Sequence, residues 1–187
     1  RTCLPNIFSS VVSNGDEAAL QATRHLIDTG SKRIAFIGGP THLDMVKRRK
    51  HGYLEALRER NITIDRSIVI NGNIDYESAR NETLKLLKRE DRPDAILAFN
   101  DIITYAAFDA IKTLGLHIPK DVAIIGFTEA ESSAFVTPKL SAIMDQAHLT
   151  GEKACDLLLR NIRGDKKIYK EIVPMILKIR ESSNKQE

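Results

Sequence analysis

Short unbroken apolar runs alternate along the chain with longer stretches whose apolar positions recur every three or four residues. Ile34-Ala35-Phe36-Ile37, Ile68-Val69-Ile70, Ala95-Ile96-Leu97-Ala98-Phe99 and Val122-Ala123-Ile124-Ile125-Gly126 read as strands, the first of them covered on both faces as in a parallel sheet. The intervening segments carry helical spacing. Asn14 to about Thr29 turns Ala19, Ala22, Leu26 and Ile27 inward, and Asp75 to about Glu90 does the same with Ala79, Thr83, Leu86 and Leu87. Asn14 and Glu17 form a capping-box pattern, Asp75 and Asp101 are placed to cap their helices, and Gly30 and Gly115 suit left-handed helix stops. This helix–strand alternation predicts an α/β fold with a parallel sheet and right-handed crossovers.

The pattern changes after Phe127. Thr128 to Pro138 reads as a polar loop, Leu140 to Met144 as a strand, and Leu149 to about Ile162 as a helix burying Ala154, Leu157, Leu158 and Ile162. Two strands follow, Ile168 to Val173 and Ile176 to Ile179, broken by Pro174, and these later pieces need not join the first sheet. Residues 182–187 are polar and are expected to form a disordered tail. The chain shows no internal repeat.

One charge breaks the helical pattern. Between Asp44 and Arg60, Met45, Gly52, Tyr53, Ala56 and Leu57 gather on one side, and Arg49 falls among them. Lys47 and Arg48 point away and Lys50 lies at the edge, so only Arg49 needs a special partner, because a buried unpaired charge is costly. An ion pair with an acidic neighbour is one answer. A ligand is the other, because Gly38-Gly39-Pro40 precedes this helix and open α/β sheets bind ligands at their carboxyl edge.

Composition narrows the classes. The 187 residues are 42% hydrophobic and 28% charged, with a formal charge of +3. This is a globular balance with too little net charge to indicate nucleic-acid binding by itself. No apolar run approaches the ~20 residues of a membrane-spanning helix, so no membrane partner is expected. Cys3 and Cys155 give neither a disulfide framework nor a metal spacing, and none of the five histidines sits at metal spacing from another. No metal or cofactor is expected. Phosphate-loop, dinucleotide, nucleophile-elbow and zinc-pair motifs are absent, and no nucleophile–base pair indicates an enzyme. Arg1 stands where an initiating Met would, and no signal-peptide pattern follows, so the expectation is a piece of a longer chain.

Four strand ends carry polar or glycine-rich turns: Gly38-Gly39-Pro40, Asn71-Gly72-Asn73, Asn100-Asp101 and Gly126-Phe127-Thr128-Glu129. Each alone is ordinary turn chemistry. In a parallel sheet all four share one edge beside Arg49, which favours a ligand cleft.

The segment His25 to Pro40, then Arg49 with Gly52-Tyr53, then Phe99-Asn100-Asp101, then Gly115 to Phe127, and finally Thr137-Pro138-Lys139-Leu140-Ser141 with Gln146, resembles in order and spacing the LacI/GalR family of bacterial transcription regulators. The likeness covers about residues 11–181. It implies a type I periplasmic-binding-protein-like fold, in which two α/β lobes joined by three crossovers hold a small effector, with a DNA-reading head that is absent from this chain. Residues 14–141 and 174–181 would form a nearly complete carboxy-terminal lobe. Residues 1–13 and 145–173 would form part of the amino-terminal lobe.

By the same resemblance Arg49 grips the effector and Asn100 and Asp101 lie beside it, while Ile74 stands where an aromatic ring often stacks. Thr128 and Ser13 replace frequent aspartates, and Met45 replaces a small hydroxyl residue. Glu129 could supply the missing carboxylate. The implied function is the effector-binding and dimerisation part of a cytoplasmic repressor that acts on operator DNA, with a carbohydrate-like effector and a homodimeric state. A periplasmic or extracytoplasmic sugar-binding protein of the same fold is the alternative.

Overall fold

A computed structural model describes residues 7–128 and 133–185. In chain order the elements are β1 (Ser10–Ser13), α1 (Gly15–Asp28), β2 (Ile34–Gly38), α2 (Asp44–Glu59), β3 (Val69–Asn71), α3 (Tyr76–Leu87) and β4 (Ala95–Ala98), followed by α4 (Asp101–Thr113), β5 (Ala123–Phe127), β6 (Ser141–Met144), α5 (Ala147–Ile162), β7 (Lys170–Val173) and β8 (Ile176–Lys178), with 3-10 turns at Arg66–Ile68 and Glu181–Ser183.

The strands form two sheets. The larger has the order β3-β2-β4-β5-β6-β8, parallel except for the antiparallel β6–β8 pair. The smaller pairs β1 with β7 in parallel. Every residue of β2, β4 and β5 is buried, which is why these strands read as unbroken apolar runs. Residues Ala79, Thr83, Leu86 and Leu87 are the buried face of α3, as their spacing predicts.

Helices α1 and α2 pack at very close range. A Cβ at Gly52 would overlap the carbonyl oxygen of Asp16, so only glycine permits this crossing. Tyr53, also on α2, is fully buried and its hydroxyl donates to the Ile34 carbonyl at 2.8 Å. Arg24–Glu59, Arg48–Asp16 and Arg60–Asp28 ion pairs flank the crossing at partly exposed positions.

The chain passes between the sheets at β1–α1, β6–α5 and β7–β8, and side chains lace these passages together. Ser13 Oγ donates to Asp145 Oδ1 at 2.5 Å. Gln146 Nε2 donates to the Pro174 carbonyl at 2.7 Å. The Met175 amide donates to Asn14 Oδ1 at 2.7 Å. Each passage is bonded to the other two.

Several expectations change. Asn14 opens α1 but makes no side-chain cap bond, because its carboxamide oxygen is taken by Met175. The cap of α4 is Asn100, whose Oδ1 accepts from the Ile103 amide at 3.0 Å, and Asp101 is the first helical residue. Val46 rather than Met45 faces the core from α2, leaving Met45 47% exposed. Only Leu157 of α5 is buried; Leu158 and Ile162 are 59% and 70% exposed and Ala154 is exposed, because the two-stranded sheet offers too little surface to cover the stripe.

The expected tail from Ser182 is packed in its described part. Ser182 and Ser183 are fully buried. Ser182 Oγ donates to the Ile124 carbonyl at 2.7 Å and accepts from the Ser141 amide at 2.8 Å. Ser183 Oγ lies 2.7 Å from Ser141 Oγ and 3.0 Å from His25 Nε2. Burial holds the His25 imidazole below its usual range, against smaller upward pulls from Ser183 and Asp28.

Candidate functional site

Because β3, β2, β4 and β5 are parallel neighbours, their carboxyl ends share one edge. The turns after these strands therefore lie side by side, as at the ligand edge of other open α/β sheets. The α2 helix, entering from β2, carries Arg49 to this edge.

Arg49 is 6% exposed. One terminal nitrogen donates to the Phe99 carbonyl at the end of β4. The guanidinium carbon lies 3.8 Å from the centre of the Phe127 ring and 4.9 Å from that of Phe99. The side chain also abuts Gly15, where a Cβ would lie 3.6 Å from Nε. That Nε is buried without a hydrogen-bond partner.

Among the described residues no carboxylate lies within ion-pair distance of Arg49. The structural alternative of an acidic contact partner is thus not realised there. Aromatic faces and a carbonyl replace it, which is weak compensation for a buried charge. Burial accordingly pushes the guanidinium well below its ordinary range, down to about 10, while Asp145 and Asp101 pull it back up at longer range.

The other predicted positions divide. Asn100 is half-buried at the same edge; its carboxamide oxygen and its carbonyl, the latter accepting from the Thr104 amide and hydroxyl, are both engaged. Its remaining function at the edge is donation through the carboxamide nitrogen. Asp101 is exposed in the first turn of α4, where a negative charge suits the helix dipole. Thr128 is 4% exposed, its amide donates to the Ile143 carbonyl at 3.1 Å, and its hydroxyl is buried without a partner. Ser13 is half-buried at the end of β1 and bonded to Asp145.

Ile74 is half-buried and packs over Gly39, where a Cβ would lie 2.8 Å from its Cγ1, so part of its surface serves the core. Met45 is exposed on the first turn of α2. Glu129 lies outside the described residues.

Asp145 is a carboxylate at this edge that the sequence reading did not single out. It follows β6, and β6 is the parallel neighbour of β5, with Phe127 opposite Ile143. The strand was legible, but its place in this sheet was not, and that place brings Asp145 beside Thr128 and Ser13.

The edge is open. A cavity of ≈ 300 Å³ lies between α5 and β7 against Leu157 and Glu171, away from Arg49. A smaller one, ≈ 10 Å³, lies between β2, β3 and α3 and touches the edge at Gly38 and Gly72. Among the described residues no group of three His, Cys, Asp or Glu side chains is placed to hold a metal ion. No described helix is long and apolar enough to cross a membrane.

The sequence pattern of the periplasmic binding protein-like domain matches residues 23–183. The HTH-type transcriptional repressor PurR of Aliivibrio salmonicida (strain LFI1238) is 35% identical over 153 residues, 82% of this chain and 46% of that protein. A regulatory protein of LacI family from Chloroflexus aggregans superposes with a TM-score of 0.92 at 31% identity, covering 97% of this chain and 66% of that one. The transcriptional regulator CelR–cellobiose complex superposes with a TM-score of 0.87 at 30% identity, covering 94% of this chain and 54% of that one. The chain spans about half the length of the curated relatives it matches.

Proposed function

This chain belongs to the periplasmic-binding-protein-like domain family as found in LacI/GalR regulators, and from that premise we propose that it is the effector-binding part of a transcription repressor whose ligand sits at the Arg49 edge. The family is one of ligand-binding regulators rather than enzymes. The observation that carries the assignment of the site is Arg49: a buried guanidinium, without an ion-pair partner among the described residues, against the ends of β4 and β5 on an edge shared by four parallel strands. A ligand that offers acceptor atoms there compensates a charge that the fold leaves under-solvated.

In this reading residues 14–141 and 174–181 are one lobe and residues 1–13 and 145–173 part of the other, with 182–185 docked on the first. The laced passages between the two sheets support that division. Ser13, Met45, Ile74, Asn100, Asp101, Thr128 and Glu129 are the further contact positions. The effector is a small, hydroxylated, carbohydrate-like molecule. A ligand that prefers one arrangement of the lobes shifts the population, and operator DNA, read by a segment outside this chain, reports the shift. The protein works in the cytoplasm as a homodimer. Exposed Tyr76, Ile102 and Phe135, on α3, α4 and the loop that Lys112 ties to α4 through the Thr137 carbonyl, support a dimer face there.

The test is calorimetry and thermal shift on the full-length protein against sugars, sugar phosphates, uronates and nucleobases. Binding by one class that is lost in Arg49→Met supports the assignment. A ligand that binds equally well to Arg49→Met would place the effector elsewhere. The sugar-transport alternative has less support, because the relative named above is a repressor by name and the Chloroflexus aggregans structure a regulatory protein.

A further inference from the structure

We propose that Asp145 is the acceptor carboxylate of the effector site, pairing with Arg49 as donor, and that the pair selects a neutral polyhydroxylated ligand over an acidic one. The inference rests on the Arg49 edge being the effector site.

Three observations converge on Asp145. First, sheet register places it there: β6 runs parallel to β5, the Thr128 amide donates to the Ile143 carbonyl, and Asp145 follows Met144 at the same edge. Second, Ser13 Oγ donates to Asp145 Oδ1 at 2.5 Å, which anchors one carboxylate oxygen and leaves the other available to accept. Third, Asp145 is exposed, yet it acts electrostatically on Arg49, which itself is covered by Gly15, two residues beyond Ser13.

The uncharged residues around it are consistent with this placement. Ser13 is a hydroxyl that can donate to Asp145, whereas an aspartate at that position would repel it. Thr128 is buried with an unpartnered hydroxyl, so the end of β5 offers no carboxylate at that position. Beside Thr128 the carboxylate comes instead from the turn after the next strand, β6.

Ligand class follows from the charge arrangement. One guanidinium lies within electrostatic reach of Asp101 and Asp145, and neighbouring Lys50 is engaged with Asn71 Oδ1 at 3.3 Å. A phosphate or carboxylate arriving at Arg49 would face two negative charges. Hydroxyl groups both accept and donate, so adjacent hydroxyls can accept from Arg49 and donate to Asp145.

The experiment is calorimetry on the full-length protein with glucose and cellobiose as neutral probes and with glucuronate and glucose 6-phosphate as acidic ones. Wild type, Arg49→Met, Asp145→Asn and the double variant Thr128→Asp/Asp145→Asn are compared, and the melting temperature of each is recorded without ligand. The expected result is that a neutral probe binds wild type, that Asp145→Asn weakens it about tenfold or more, and that the double variant recovers affinity. The unliganded melting temperature of Asp145→Asn should change too little to account for the loss. A neutral probe whose binding is lost in Arg49→Met but kept in Asp145→Asn would overturn the role of Asp145 and leave the site assignment standing. Binding of an acidic probe alone, dependent on Arg49, would overturn the ligand class. Binding of any probe independent of Arg49, or of none, would overturn the proposal together with the site on which it rests.

Discussion

The guanidinium carbon of Arg49 lies 3.8 Å from the centre of the Phe127 ring. Two strands that converge only in the folded sheet supply the surroundings of this arginine: Phe99 at the end of β4 gives a carbonyl and a ring, and Phe127 at the end of β5 gives the second ring. These contacts hold the cation in place without neutralising it.

Arg49→Met should therefore raise the melting temperature of the unliganded protein by a few degrees while removing effector binding. Burial lowers the guanidinium from its ordinary range to about 10, a cost of charge burial of ~3 kcal/mol, partly offset by the contacts with Phe99 and Phe127. The depressed value means that the unfolded chain holds the proton more tightly. This component of stability is absent at neutral pH and returns only as pH rises above about 10. Thermal denaturation of both proteins at neutral pH checks the sign, and a lower melting temperature for the variant would show that the contacts outweigh the burial cost.

Gly52→Ala should destabilise the protein by on the order of 3 kcal/mol. Its methyl group would enter the backbone of α1 at Asp16, and backbone cannot swing aside as a side chain can. Gly72→Ala is the control: a Cβ there meets nothing within 4 Å, and the change should stay within about 0.5 kcal/mol. Urea midpoints of the two variants should separate clearly.

Ser182→Ala should cost about 3 kcal/mol, because it leaves the Ile124 carbonyl and the Ser141 amide without a partner in the core. Deleting residues 182–187 should cost more. Urea denaturation measures both, and a truncated protein as stable as the parent would mean that this segment behaves as the tail its composition resembles.

His25 should make the fold acid-sensitive. Its folded value lies below the ordinary 6.5 because of burial. As pH falls the unfolded chain takes up the proton first. The associated stability is complete above 6.5 and is lost as pH drops below it towards the folded value. His25→Gln should flatten the dependence of the urea midpoint between neutral pH and about pH 5. An unchanged slope would assign the acid sensitivity to other groups.

Most of the element plan was legible because burial on both faces produces unbroken apolar runs and packing of one helix face produces a repeat of three to four. Thr83 was read as inward from its phase alone, and it is fully buried. Errors came where a polar group had two possible partners. Asn14 looks like a helix cap, but the Met175 amide claims its oxygen from 161 residues away. Asp101 looks like a cap, but Asn100 does that work one residue earlier. Ser182 looks like surface, yet two unsatisfied backbone groups in the core draw it inward.

The candidate site shows the same division. Arg49 was found from sequence because a charge on an apolar stripe is a local anomaly, visible within one helix. Asp145 was not found, because an aspartate after a strand is ordinary until the neighbouring strand is known. The sequence by itself determined the alternation of elements, the parallel sheet and the arginine at its edge, since these follow from short-range periodicity and turn chemistry. Only the tertiary structure decided that β6 lies beside β5, that Ser13 reaches Asp145, and that Asp145 thereby comes to the edge that holds Arg49. Ser13 and Asp145 lie 132 positions apart, and no local pattern encodes which distant partner a hydrogen-bonding group takes.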